Sequence, residues 1–155
     1  MHLLADFDPA LPPIQGFRGE FDFLSNFYHA SLEFKGVRFV SSEQAYVWSK
    51  TDDPIIKDVI LSIIHSAKLK RYGSNGFATK PKWKEIKTSV MLEILRVKFG
   101  KNDHLKQKLL ATGKRYIEET NWWNDTFWGV CNGVGENRLG NLLMLVRTEL
   151  QEENG

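Results

Sequence analysis

The sequence predicts an α+β fold, predominantly helical, in a single domain with a small antiparallel sheet near the amino terminus. Apolar residues recur at helical spacing in several stretches after residue 41. Before it, aromatic and polar residues alternate and a Gly-containing turn separates two apolar runs. No repeat or linker interrupts the 155 residues, a length that suits one domain. The domain is expected over 16–155, behind an arm of residues 1–15.

Residues 1–13 read as an unstructured or loosely docked arm that ends in Pro12-Pro13. From Gly16 to Tyr28 the period-two aromatic pattern predicts a strand and then a turn at Ser25-Asn26. Leu32-Glu33-Phe34 and Val37-Arg38-Phe39 flank Lys35-Gly36, a hairpin that leaves Glu33 and Arg38 outside. Ser41 opens a helix that runs to about Lys50, with a capping box in which Gln44 reaches back to the Ser41 N–H. Asp53 and Pro54 cap and start the next helix, to His65, whose Ile55, Ile56, Val59, Ile60, Ile63 and Ile64 read as a core stripe.

A short helix over Ala67–Tyr72 is expected to close at Gly73. Ser74 to Pro81 has loop composition. Lys82 to Phe99 is the longest helical pattern, and Asp103 to Thr112 is another, stopped by Gly113. Tyr116 to Thr120 is a short strand. After the aromatic stretch 121–136, Asn137 caps a final helix with Leu139, Leu142, Leu143, Val146 and Leu150 facing in.

Composition excludes several classes. A single cysteine, Cys131, rules out an internal disulfide and a Cys-based zinc site. The four histidines show no ligand spacing, so no metal is expected, and nothing calls for a cofactor. No signal peptide or bilayer-length apolar run is present, which predicts a cytoplasmic protein with no membrane role. Net charge is only +2, yet residues 68–101 hold ten Lys/Arg against Glu85 and Glu93. That basic span suits phosphate-bearing ligands or nucleic acid, and equally a Lys-rich solvated face.

Two stretches can carry chemistry. Glu43, Tyr46 or Val47, and Lys50 fall on one helix face, a carboxylate and an amine two turns apart with aromatics beside them. They read as an acid/base pair, a nucleophile with its helper, or an ordinary solvated face. The loop 121–136 holds three Trp and a Phe that cannot all be left in water, so it either walls a ligand pocket or is an Ω-loop pinned by its own rings. Within it Asp125 is a candidate acid/base or ribose-hydroxyl acceptor, and Gly129, Gly133 and Gly135 allow close backbone approach. Gly133-x-Gly135 before the Asn137 helix also resembles a phosphate-cradling turn. Arg18 and Asn26 bound the aromatic strand, Asn26 serving a turn or a substrate. Trp83 either stacks a base or packs in the core.

Several short blocks in fixed order resemble the NADAR (YbiA-like) family. They are F-L-S-N-F (Phe23–Phe27), S-E-Q-A-Y with a following Lys (Ser42 to Lys50), A-K-L-K-R-Y-G (Ala67–Gly73) and W-K-E-I-K (Trp83–Lys87). M-L-E-I-L-R-V-K-F (Met91–Phe99), N-D-T-F-W-G (Asn124–Gly129) and G-E-N-R-L-G-N-L-L-M-L-V-R (Gly135–Arg147) follow, so the match spans about residues 17–150. The resemblance implies an N-glycosidase that cleaves a ribosyl C–N bond. Its substrate would be either a riboflavin-pathway ribosylaminopyrimidine phosphate or ADP-ribosylated guanine of nucleic acid. It carries Glu43, Lys50, Trp83, Asp125 and Trp128 over as pocket residues.

On that expectation Lys50 is the nucleophile, Glu43 the acid/base and Asp125 the ribose-hydroxyl acceptor. Trp83 and Trp128 flank the base, with Tyr46 and Gly129 beside them. Arg18, Arg71 or the Asn137 helix start meets phosphates. Two departures from the family pattern bear on which base is accepted: a loop 129–135 poorer in Gly and Lys, and Trp122-Trp123 in place of polar residues. The second hypothesis is a non-catalytic ADP-ribose or NAD-binding module, which keeps the Trp pocket but does not need the Glu43/Lys50 pair. Oligomeric state and nucleic-acid contact are left open.

Overall fold

The computed structural model describes residues 5–154. The chain resolves into two compact units, one of residues 26–98 and one that joins the chain up to Ser25 with the chain from Phe99 onward.

The unit of residues 26–98 begins with the expected hairpin, β1 (His29–Phe34) and β2 (Val37–Ser41), antiparallel with Leu32 opposite Phe39 and Glu33 opposite Arg38. Lys35 and Gly36 both take positive φ, the condition a two-residue hairpin turn imposes. Leu32, Phe34 and Phe39 are buried, while Glu33 and Arg38 meet in water at 3.3 Å. Then come α1 (Ser42–Ser49), α2 (Pro54–Ser62), α3 (Ser66–Asn75) and the long α4 (Trp83–Gly100). Val47, Ile60 and Leu69 form a core that Trp48, Ile56, Ile63, Tyr72 and Phe77 surround.

Helix α1 is the centre of this unit, because all its residues except Trp48 are buried. Ser41 caps it by accepting from the Gln44 N–H at 3.1 Å. The Gln44 side chain does not return to Ser41. Its Oε1 accepts from the Val40 N–H at 2.9 Å, and its Nε2 donates to the Ile60 and Ile63 carbonyls at 3.2 and 3.1 Å. A buried amide thus ties α1 to the end of α2, adding a second donor to the Ile60 carbonyl, which also accepts from the Ile63 N–H.

Two expectations fail here for one reason, the true helix ends. Helix α2 stops at Ser62, with Ile63 already extended, so the periodicity read through to His65 loses its register. Only Ile60 of that stripe is fully buried, while Ile55 is 75% and Ile64 57% exposed. Gly73 does not end α3 but sits inside it, buried, and Gly76 is the cap. A Cβ on Gly73 would lie 2.9 Å from Val47, so glycine there lets α3 lie against α1.

In the other unit, β3 (Ile14–Gln15) pairs in parallel with β4 (Ile117–Glu118), and β5 (Thr120–Asn121) with β6 (Val130–Cys131). Helices α5 (Asp103–Ala111) and α6 (Arg138–Asn154) complete it. Leu139, Leu142, Leu143, Val146 and Leu150 are buried as expected. The aromatic stretch after Gly16 is a 3-10 helix, Gly19–Leu24, rather than a strand. Gly16 and Gly19 both take positive φ and turn the backbone out of the extended path.

The arm is built in from residue 5 on, and residues 1–4 lie outside the described residues. The Asp8 N–H meets the Lys114 carbonyl at 2.8 Å, and Phe7 packs on Tyr116 with ring centroids 4.9 Å apart. Arg147, fully buried, donates to the Asp6 and Arg115 carbonyls and to the Thr112 hydroxyl. Burial pushes its guanidinium down to about 10, against the pull of Asp6.

Candidate active site

The unit of residues 26–98 brings Glu43, Tyr46, Lys50 and Trp83 together. Glu43 stands in the first turn of α1 and Lys50 at its carboxyl end, the charge placement that the helix dipole favours at each terminus. The Glu43 N–H donates to the Asn26 carbonyl at 3.0 Å, and the Ser42 hydroxyl donates to the Asn26 Oδ1 at 2.8 Å. Asn26 therefore seats the start of α1, the turn-serving role expected of it. Glu43 is 8% exposed, which removes the solvated-face reading of the pair.

The Lys50 amine donates to the Gly73 carbonyl at 3.2 Å and lies 5.3 Å from the centre of the Tyr46 ring. Gly73 is in the last turn of α3, where carbonyls lack helical N–H partners, so the amine fills a vacant acceptor. Burial holds the Lys50 pKa below that of an ordinary lysine; Glu43 opposes this and the Lys87 charge adds to it. The Tyr46 and Trp83 rings meet at 5.3 Å, tilted by 54°, and Trp83 is 5% exposed. Both rings are walls of a packed interior on the sides they share. Arg71 is exposed on α3.

The remaining candidates, Arg18, Asp125, Trp128, Gly129 and Asn137, belong to the other unit. Asp125 Oδ1 accepts from the Phe127 and Trp128 N–H groups at 3.2 and 2.9 Å, a turn that the side chain closes on its own backbone. Asn121 holds that turn from both sides, donating to the Asp125 carbonyl and accepting from its N–H. The Trp128 ring stands edge-on to Phe127, centroids 4.8 Å apart. Arg18 is exposed ahead of the 3-10 helix.

The start of α6 is not an open phosphate cradle. The N–H groups of Glu136, Asn137, Arg138 and Leu139 donate to the carbonyls of Thr126, Gly129, Phe127 and Trp128, so the loop itself occupies them. The buried Asn137 side chain is spent likewise, on the Glu119 N–H, the Ile117 carbonyl and the Tyr116 hydroxyl. Gly129 allows a close approach, but of backbone to backbone: a Cβ there would lie 2.1 Å from the Glu119 carbonyl oxygen. Trp122 stands in water, 85% exposed, while Phe127 and Trp128 are partly buried, so not all of the loop's rings are left to solvent.

Sequence reasoning missed Gly73, Asn121 and Lys87 as parts of these arrangements. Gly73 looked like a helix stop, and Lys87 one more charge in a basic span. The Asn four residues before Asp125 was the available signal for the closed turn. Among the described residues no group of His, Cys, Asp or Glu is placed to hold a metal ion, and no helix is long and apolar enough to cross a membrane.

Comparison with known proteins places this arrangement. The chain is 38% identical over 132 residues to a riboflavin biosynthesis protein of Vibrio vulnificus, covering 84% of this chain but only 36% of that longer protein. It is 34% identical over 134 residues to the N-glycosidase YbiA of Shigella flexneri, covering 83% of this chain and 81% of the relative. The NMR structure of the Escherichia coli protein YbiA superposes with a TM-score of 0.81 at 27% identity, over 99% of this chain and 95% of that one. The NADAR domain model matches residues 16–151. By sequence and by fold alike, the chain belongs to the NADAR domain family.

Proposed function

We propose that this protein is an N-glycosidase that hydrolyses a ribosyl C–N bond, with Lys50 as nucleophile and Glu43 as acid/base. The observation that carries the reading is a lysine whose amine is partly withdrawn from water against the Gly73 carbonyl, on the same buried helix as Glu43. A desolvated amine spends more of its time uncharged, and only the uncharged form can attack carbon. Glu43 is 8% exposed on the same helix, and a carboxyl group there can pass a proton to a leaving nitrogen.

In the proposed reaction Glu43 donates a proton to the departing base, and the C1–N bond breaks with its electron pair going to that nitrogen. The Lys50 nitrogen bonds to C1 and loses a proton to the Glu43 carboxylate; the ring C1–O bond then breaks as the C1=N bond of a Schiff base forms, and the remaining N–H proton passes to the released oxygen. Water then adds to C1, and the lysine leaves as the free amine. The sum is one water consumed, with free base and free sugar formed. Positive charge on the sugar is stabilised by the Glu43 carboxylate while that group is ionised.

The substrate proposed is a phosphorylated ribosyl N-glycoside, for which the Vibrio relative's part in riboflavin biosynthesis is the support. Tyr46 and Trp83 are proposed as aromatic walls and Arg71 as a phosphate contact. The basic span 68–101 is the observation that favours the second reading, ADP-ribosylated guanine in nucleic acid. Purified protein given a ribosylaminopyrimidine phosphate and, separately, an ADP-ribosylated guanine oligonucleotide separates the two. Release of free base from the first supports the metabolite reading, and loss of ADP-ribose from the second supports the nucleic-acid reading. Binding of ADP-ribose with neither bond cleaved makes the protein a binding module instead.

A further inference from the structure

Asn26 and Phe27 form a junction that three helices share. The Asn26 carbonyl accepts from the Glu43 N–H at 3.0 Å, and its Oδ1 accepts from the Ser42 hydroxyl at 2.8 Å, both in the first turn of α1. Its Nδ2 donates to the sulfur of Met91, a buried residue of α4, at 3.6 Å. One residue on, the Phe27 carbonyl accepts from the Ser66 hydroxyl at 2.9 Å, at the start of α3. The same three helices meet again further along, where the Lys50 amine reaches the Gly73 carbonyl and the Tyr46 ring meets Trp83. Glu43 belongs to the first meeting place and Lys50 to the second, with α1 as the rod between them.

We infer that Asn26 is a positioning residue of this site: by pinning the first turn of α1 to the starts of its neighbours' contacts, it sets where the Glu43 carboxyl stands for proton transfer. The inference rests on the proposed role of Glu43 as acid/base. An amide in the first turn of a helix has no acceptor within that helix. Ser41 caps the Gln44 N–H from the adjoining residue, an arrangement that moves with the helix. The Glu43 N–H is held instead by a distant part of the chain, so Glu43 cannot shift without breaking a bond to Asn26. The Asn26 side chain is in turn fixed at both ends, its oxygen on α1 and its nitrogen on α4. A general acid works only within hydrogen-bond reach of the atom it protonates, and a displacement of about 1 Å can cost about a hundredfold in rate.

The test is a double-mutant cycle on turnover of the ribosyl N-glycoside that the protein cleaves. A residue that acts through Glu43 has nothing left to act on once that carboxyl is gone. Asn26→Ala, Asn26→Asp and Ser42→Ala are made in the wild type, and Asn26→Ala and Ser42→Ala also in Glu43→Gln. In the wild type, Asn26→Ala and Ser42→Ala are each expected to lower kcat about ten- to a hundredfold, with KM within about twofold. Asn26→Asp keeps an oxygen for the Ser42 hydroxyl and should restore kcat to within about threefold of wild type. In Glu43→Gln, Asn26→Ala should cost less than about twofold. Equal losses in both backgrounds, with Glu43→Gln itself impaired, overturn the inference alone, because the effect of Asn26 would then not pass through Glu43. So does a kcat for Asn26→Ala within about twofold of wild type. If urea denaturation shows that Asn26→Ala does not fold, Ser42→Ala removes the same hydrogen bond from the other side and is judged by the same two outcomes. Glu43→Gln by itself tests the acid/base reading: undiminished turnover there removes that reading, whatever Asn26→Ala does.

Discussion

The Lys50 amine donates to the carbonyl of Gly73 at 3.2 Å, and a Cβ on Gly73 would stand 3.5 Å from the same nitrogen and 2.9 Å from Val47. One backbone position therefore supplies the acceptor for the amine and the space that lets α3 lie close enough to offer it. Gly73→Ala should cost about 1–3 kcal/mol through forced displacement of Val47, despite alanine's better helix propensity. Chemical denaturation measures the loss. A variant as stable as the wild type would show that α1 and α3 are not in contact at this point.

The lowered pKa of Lys50 fixes the sign of a pH effect on both activity and stability. Below the folded-state pKa, both native and unfolded chains carry the protonated amine, and the native state bears the full burial penalty. Between that pKa and the ordinary lysine value the unfolded chain binds more protons, so the penalty is relieved as pH rises. Lys50→Met should therefore gain stability relative to the wild type near neutral pH, and the gain should shrink as pH approaches 10.5. Thermal melts of both proteins across that range decide it; a gain that grows with pH would reverse the sign and contradict the assignment. Activity should rise with pH through an acid limb below the ordinary lysine range.

Gln44 links the hairpin, α1 and the end of α2 through one buried amide. Gln44→Ala removes the acceptor of the part-buried Val40 N–H and the donor to the Ile60 and Ile63 carbonyls, at an expected cost of about 1–3 kcal/mol. Gln44→Glu should be at least as damaging, because a carboxylate cannot donate to the Ile60 and Ile63 carbonyls unless it is protonated. A urea titration showing Gln44→Glu close to wild type at neutral pH would count against the hydrogen-bond account.

Asp125 closes its own turn with a single oxygen, which asparagine also possesses. Asp125→Asn should hold stability within about 0.5 kcal/mol, and Asp125→Ala should lose about 1–2 kcal/mol, the usual range for a lost side-chain cap. Equal stability of the two variants would show that the turn does not depend on this acceptor.

Much of the fold was legible in the sequence because it is written locally. The hairpin at Lys35-Gly36, the Ser41 and Asp53 caps and the α6 stripe each depend on residues within one turn of one another. Failures came where a distant partner decides. The Gly73 environment is set by Val47, 26 positions earlier, and Gln44 is claimed by carbonyls that follow residue 59. Ile64 ended in water because α2 stops at Ser62, and Ile55, though inside α2, lies five residues from Ile60 and so on a different face. The candidate site was legible in part for the same reason. Glu43 and Lys50 share a helix face, which spacing reveals, whereas the filling of the α6 amides by loop carbonyls is a tertiary fact.

The central claim, a sugar carbon bonded to Lys50 during cleavage, has one direct measurement. The protein is quenched with borohydride while turning over a ribosylaminopyrimidine phosphate, then weighed intact and mapped by peptide. The account predicts a reduced sugar-phosphate adduct on the peptide that contains Lys50, absent from Lys50→Ala, which should also lack turnover. Undiminished cleavage by Lys50→Ala, with no adduct on the wild-type protein, would contradict it.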